Sequence, residues 1–127
     1  MTDTTSSDAL PHFDRRAFDA LVEDLSQVSA DRFEADFLAM LPARIRRIED
    51  ALTAGRDREE AVTALLSLKA GATLAGATRL SFTADAALAD ISKAFHPSTL
   101  LPVRLRRETQ QFTAAYACFR VHLSHAA

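Results

Sequence analysis

The sequence of 127 residues has no tryptophan, one cysteine, three glycines and four prolines. The single cysteine, Cys118, excludes an internal disulfide and a cluster of thiolate metal ligands. So few glycines and prolines leave little material for the turns of an all-β fold, whereas abundant alanine and leucine favour helix. We therefore expect one all-α domain, which this chain length can supply with a sufficient core.

Strong charge and long hydrophobic runs are also missing. The formal net charge is −2 and the sequence pI about 6.0, so the basic excess of a nucleic-acid-binding protein is absent and no nucleic-acid partner is predicted. No apolar run reaches the roughly 18 residues that a membrane span needs, and the N-terminus resembles no secretory signal. A cytoplasmic protein without membrane contact is expected. Residues 1–11, small and polar, predict a disordered tail before a single domain over residues 12–127.

Apolar residues recur three or four positions apart in five segments, and this spacing predicts five amphipathic helices. The first begins at about Asp14, whose carboxylate can cap it, and the other four cover about 31–54, 57–75, 77–95 and 100–124. Four long helices with short joins predict an antiparallel up-and-down four-helix bundle, with the short additional N-terminal helix across one end.

Within these helices the spacing predicts which side chains face the core. The inner stripe of the first helix is Phe18, Leu21, Val22 and Leu25, and that of the third helix is Ala61, Leu65, Leu68, Ala72 and Ala75. Asp57 should cap the third helix, with Glu60 as its reciprocal partner. Cys118 is expected to fill a small space in the core.

The stretch from Leu66 to Leu80 reads LSLKAGATLAGATRL. It resembles the motif H-x-L-K-G-S-(small)-x-x-(apolar)-G-A-x-x-L of histidine-containing phosphotransfer (HPt) domains. Leu68 and Lys69 match the L-K pair, Gly76 and Ala77 match the G-A pair, and Leu80 matches the last apolar position. The preceding FLAMLPARIRRIEDALTAG and the earlier FDRRAFDAL also resemble the family. The similarity therefore runs from about Phe13 to the end of the fifth helix.

One departure from the motif decides the predicted activity. The family's phospho-accepting histidine falls on Leu66, whose saturated side chain has no nucleophilic nitrogen. The chain is therefore identified as a degenerate HPt-like member. The resemblance implies that it binds a response-regulator receiver, or a related two-component signalling protein, without phosphoryl transfer. It also implies a non-enzymatic protein that needs no cofactor.

The helical spacing places Leu66 off the buried stripe of its helix, on a side that also carries small and polar residues. The predicted partner-binding residues are Val62, Leu66, Lys69, Ala70 and Thr73. Lys69 resembles the family's phosphate-holding lysine, and Ala70 is small enough for another surface to approach closely. The alternative is that a neighbouring helix covers Leu66.

Two other functions stay open at the level of sequence. The chain could be a helical-bundle scaffold outside two-component signalling that forms a homodimer through the patch around Leu66. It could instead relay phosphate through His96, in the connector before the fifth helix. His122 and His125, three positions apart, are too few for a metal site and better suit a helix C-terminus. His12 is expected in the tail.

Overall fold

Five α-helices make up most of the part of the chain that the structure describes. The computed structural model describes residues 10–53, 57–94 and 100–126. The helices are α1 (Arg15–Asp24), α2 (Gln27–Leu52), α3 (Arg58–Ala75), α4 (Thr78–Lys93) and α5 (Leu100–Ala126). No strand occurs in these three ranges, so the predicted all-α class is confirmed. In the same ranges, no helix combines the length and the apolar character that crossing a membrane requires.

The starts of α1 and α3 follow their predicted capping residues. The side chain of Asp14 accepts a hydrogen bond from the backbone N–H of Arg16, and that of Asp57 accepts one from the N–H of Glu60, at 3.0 and 3.1 Å. The predicted return bond from Glu60 to Asp57 is absent from the described contacts. Instead the backbone N–H of Asp57 donates to the carbonyl of Ala51, and the Glu60 carboxylate pairs with Arg47.

The start of α2 and the position of Leu25 differ from the prediction. Helix α2 begins at Gln27 rather than near Asp31, because the Ser26 hydroxyl accepts a hydrogen bond from the N–H of Ser29 and caps the helix early. Leu25 was predicted to face the core, and this is wrong. It lies just beyond the last residue of α1 and is 54% exposed.

Ion pairs and hydrogen bonds show how the helices run past one another. Asp31 and Glu49 of α2 pair with Arg120 and Arg106 of α5, at 2.6 Å in each case. The early residue of α2 meets the late residue of α5, so these two helices run in opposite directions. Contacts also join α2 to α3, α3 to α4 and α4 to α5, and α1 packs on α2 and α3. The predicted inner stripe of α3 is confirmed, since all five of its residues are buried.

The turn between α3 and α4 also fixes the N-terminal segment. Gly76 has φ +80°, a conformation that glycine adopts without strain. The backbone N–H of Asp14 donates to its carbonyl at 2.7 Å, and a Cβ at Gly76 would lie 2.7 Å from the Asp14 carbonyl oxygen. A side chain there would therefore push α1 away from the end of α3.

Aromatic packing fixes the residues that precede α1. Phe13 lies with its ring 5.0–6.3 Å from four other aromatic rings, those of Phe18, Phe112, Tyr116 and Phe119. Leu10, inside the predicted tail, accepts a hydrogen bond from Arg79 Nε at 2.7 Å, whereas residues 1–9 lie outside the described ranges. His12 is half-buried rather than part of a free tail. Burial, and then the nearby Arg79, lower the pKa of its imidazole.

Candidate functional site

Leu66 lies in the middle of α3 and is 52% exposed. Its neighbour Leu65 and the following Leu68 occupy the buried positions, which turns Leu66 outward. The alternative that a neighbouring helix covers Leu66 is therefore wrong. An apolar surface residue stands where the motif would place a phosphate-accepting histidine, and its hydrocarbon side chain has no lone pair with which to attack phosphorus.

The other four predicted partner-binding residues also reach the surface of α3. Ala70 and Thr73 are exposed, while Val62 and Lys69 are half-buried. Residues three or four positions apart on a helix are neighbours, so these side chains share one side of α3 with Leu66.

The apolar part of this surface extends beyond the predicted residues. Leu74 is 53% exposed and continues the four-residue spacing of Leu66 and Ala70 along α3. That spacing was visible in the sequence and would have identified Leu74. Met40 on α2 is also exposed, and its sulfur lies 3.8 Å from Arg44 Nη2. The guanidinium of Arg44 reaches α3 as well, with Nη1 3.5 Å from the carbonyl oxygen of Ser67.

We call the surface formed by Met40, Leu66, Ala70 and Leu74 the outer face. Exposed side chains from two adjacent helices contribute to it, and Arg44 joins the two helices there. Sequence spacing cannot reveal such a surface, because the register between α2 and α3 depends on tertiary packing.

Lys69, which the motif resemblance matches to the phosphate-holding lysine of HPt domains, has a carboxylate partner within this chain. Its Nζ lies 2.7 Å from Oδ1 of Asp85 on α4. One turn further along α3, the Thr73 hydroxyl lies 2.7 Å from the Ser81 hydroxyl and donates to the Lys69 carbonyl at 2.8 Å. Lys69 and Thr73 therefore tie α3 to α4, and the Lys69 ammonium is paired with a carboxylate of the same chain.

The remaining candidate residues form no second site in the described ranges. Cys118 was predicted to lie in the core, and this is wrong, because its side chain is exposed on α5. His122 Nδ1 lies 2.9 Å from the carbonyl oxygen of Cys118, a contact between successive turns. His96 and the side chain of His125 fall outside what the structure describes. Among the described residues, no group of three or more His, Cys, Asp or Glu side chains is placed to hold a metal ion.

Two buried carboxylates were missed by the sequence reasoning. Glu34 on α2 has no exposed surface, and neither of its carboxylate oxygens has a hydrogen-bond partner among the described residues. Burial, reinforced by the nearby Asp31, raises the pKa of Glu34 to about 8. Glu108 on α5 is also buried, but it accepts hydrogen bonds from the Thr83 hydroxyl at 2.6 Å and from Arg104 Nε at 3.2 Å.

A signal for both carboxylates was present in the sequence. Glu34 is three residues before Phe37, and Glu108 lies midway between Leu105 and Phe112. Each therefore falls on the inner stripe of its helix. A carboxylate is normally expected on the surface, but the helical spacing places both of these side chains in the interior.

Comparison with known proteins identifies no relative of this chain. No protein-family model matches the chain, and neither the curated proteins nor the solved structures give a significant match. The HPt resemblance thus stays a prediction that rests on the motif between Leu66 and Leu80.

Proposed function

We propose that this protein is a non-catalytic, HPt-like signalling domain that acts in the cytoplasm and binds the receiver of a response regulator without phosphoryl transfer. The observation that carries the proposal is the exposure of Leu66 at the position where the motif has its histidine. A buried Leu66 would have removed the surface that the proposal requires.

The helix contacts support the bundle that the proposal assumes. Helices α2, α3, α4 and α5 contact one another in a closed ring, and α1 packs on α2 and α3. Together with the opposite directions of α2 and α5, this ring supports an antiparallel up-and-down four-helix bundle with one additional helix. Such a bundle presents the middle of α3 on an outer surface, as docking requires.

Association through this surface would be driven mainly by burial of apolar area. Full burial of a leucine side chain stabilises a complex by roughly 1.5–3 kcal/mol, and Leu66 has about half of that gain available. Leu74 and Met40 add comparable exposed area. A receiver held in this way is occupied but receives no phosphoryl group and loses none, so the protein would act by sequestration or competition.

The test is a calorimetric titration of purified receiver domains from the same organism against the wild-type protein and against Leu66→Asp. We expect at least one receiver to bind with a dissociation constant in the micromolar range. Because aspartate would bring a hydrated carboxylate into an apolar contact, Leu66→Asp should weaken that complex more than tenfold. If no receiver binds the wild-type protein at high micromolar concentration, the proposal is wrong.

Self-association is the second candidate, and the extent of the outer face favours it. Apolar side chains exposed on two adjacent helices also suit a contact between two copies of the chain. Sedimentation velocity separates the two functions. A concentration-dependent dimer that Leu66→Asp dissociates would favour the scaffold function. A protein that stays monomeric at all concentrations would favour receiver binding.

A further inference from the structure

Arg44 differs from the other cations close to the outer face. Arg47, one turn along α2, pairs with Glu60, and Lys69 on α3 pairs with Asp85. None of the ion pairs among the described residues includes Arg44, whose polar contacts there are a carbonyl oxygen and a thioether sulfur. The positive charge of Arg44 therefore forms no ion pair with a carboxylate of the described residues.

The position of this charge is set by a glycine on the neighbouring helix. A Cβ at Gly71 would lie 2.8 Å from Arg44 Nη1, which is closer than real side-chain atoms approach, and 3.2 Å from Cε1 of Phe37, which is a tight contact. The absence of a side chain at Gly71 therefore allows the guanidinium to lie against α3. There it is next to the turns that carry Leu66, Ala70 and Leu74.

A cation at the edge of an apolar surface favours partners that carry a negative charge at the matching position. Two parallel N–H donors of a guanidinium match the two oxygens of a carboxylate, and water excluded by the surrounding apolar contact strengthens such a pair. A purely apolar partner would instead bury the Arg44 charge without compensation, which is unfavourable.

We infer that the outer face binds a receiver surface on which an apolar side chain is accompanied by an aspartate or glutamate, and that Arg44 pairs with this carboxylate. The inference rests on the proposed function and names the surface chemistry of its partner. Arg44 thereby acts as a specificity determinant, since receivers without a carboxylate at that place leave the guanidinium unpaired.

The test compares Arg44→Gln with Arg47→Gln in titrations against a receiver that binds the wild-type protein. Each change removes one positive charge from α2, and the two sites are three residues apart. We expect Arg44→Gln to weaken binding about tenfold and to reduce its dependence on salt, because the charge pair is lost. Arg47→Gln, which removes a cation already paired within the chain, should change the affinity less than twofold. Thermal unfolding of both variants separates binding from folding.

A second variant moves the charge without removing it. Gly71→Ala should displace the guanidinium from α3 and weaken binding at least threefold, although the net charge is unchanged. If Leu66→Asp abolishes binding while Arg44→Gln and Gly71→Ala bind like the wild type, the inference about Arg44 is wrong and the proposed function stands. If no receiver binds the wild-type protein, the proposed function fails and this inference fails with it.

Discussion

The outer surface of α3 exposes an apolar side chain, and the interior beside α2 buries a carboxyl group. Each is the reverse of the usual arrangement, in which apolar side chains are buried and charged ones are exposed. On the surface, Leu66 exposes half of a hydrocarbon side chain. In the interior, Glu34 buries a carboxyl group with no hydrogen-bond partner among the described residues. A single exposed leucine has little effect on stability, whereas an unpaired buried carboxyl lowers it. Substitution of Glu34 should therefore change the folding stability more than substitution of Leu66 does.

Adjacent leucines on α3 give the sharpest form of this contrast. Leu65 is fully buried and Leu66 is exposed. Leu65→Asp should destabilise the fold by more than about 4 kcal/mol, because it places a charge in the core and removes apolar contacts. Leu66→Asp should change the free energy of unfolding by less than about 1 kcal/mol. Urea denaturation measures both values, and similar losses for the two variants would contradict the assigned faces of α3.

Replacement of Glu34 should stabilise the protein. The unfolded carboxyl ionises near pH 4.5, while burial raises the folded pKa to about 8, so the folded state retains a proton that the unfolded state loses between these values. Stability therefore falls as pH rises through this window. At pH 7 the free energy of unfolding is lower by about 3 kcal/mol, because each pH unit above the unfolded pKa removes roughly 1.4 kcal/mol.

Glu34→Met removes this titration. We expect its unfolding free energy to exceed that of the wild type by an amount that grows from pH 5 to pH 8 and then levels off. Denaturation at several pH values measures the difference between the unfolding free energies of the variant and the wild type. The contributions of other titrating groups such as His12 are the same in both proteins and cancel. A gain that does not depend on pH would show that Glu34 is not protonated in the folded state.

The same substitution at Glu108 should have the opposite sign. Glu108 is buried, but it accepts hydrogen bonds from Thr83 and Arg104. Glu108→Met would leave the Thr83 hydroxyl unpaired in the interior, at a cost of about 1–3 kcal/mol. Denaturation at pH 7 checks this result, with Glu108→Gln as the control that keeps an acceptor for Thr83. Stabilisation by Glu108→Met would mean that the hydrogen bonds contribute less than the burial of the carboxylate costs.

Much of the fold was predictable because helical spacing alone determines which residues can face a core. The inner stripe of α3 and the capping roles of Asp14 and Asp57 follow from that spacing and from local hydrogen-bonding chemistry. A start of α2 near Asp31 was predicted, but the Ser26 hydroxyl caps the helix earlier, and Asp31 pairs with Arg120 from a distant part of the chain.

The candidate site was only partly predictable, for a different physical reason. The exposure of Leu66 follows from its position on one helix, and the spacing also held the unused signal for Leu74. The contributions of Met40 and Arg44 depend on how α2 lies against α3, where the absence of a side chain at Gly71 leaves room for the Arg44 guanidinium. No pattern within a single helix contains that information.

Phosphoryl transfer to a histidine introduced at position 66 tests the central claim most directly. Each purified receiver, phosphorylated on its aspartate with radioactive phosphate, would be mixed with the wild-type protein and with Leu66→His. In the variant, an imidazole nitrogen can attack phosphorus and the aspartate carboxylate leaves as the phosphorus–oxygen bond breaks. We expect acid-labile label on Leu66→His from at least one receiver and none on the wild type. Label on the wild-type protein, or none on the variant from any receiver, would contradict a docking surface built around the place of a lost phosphate-accepting histidine.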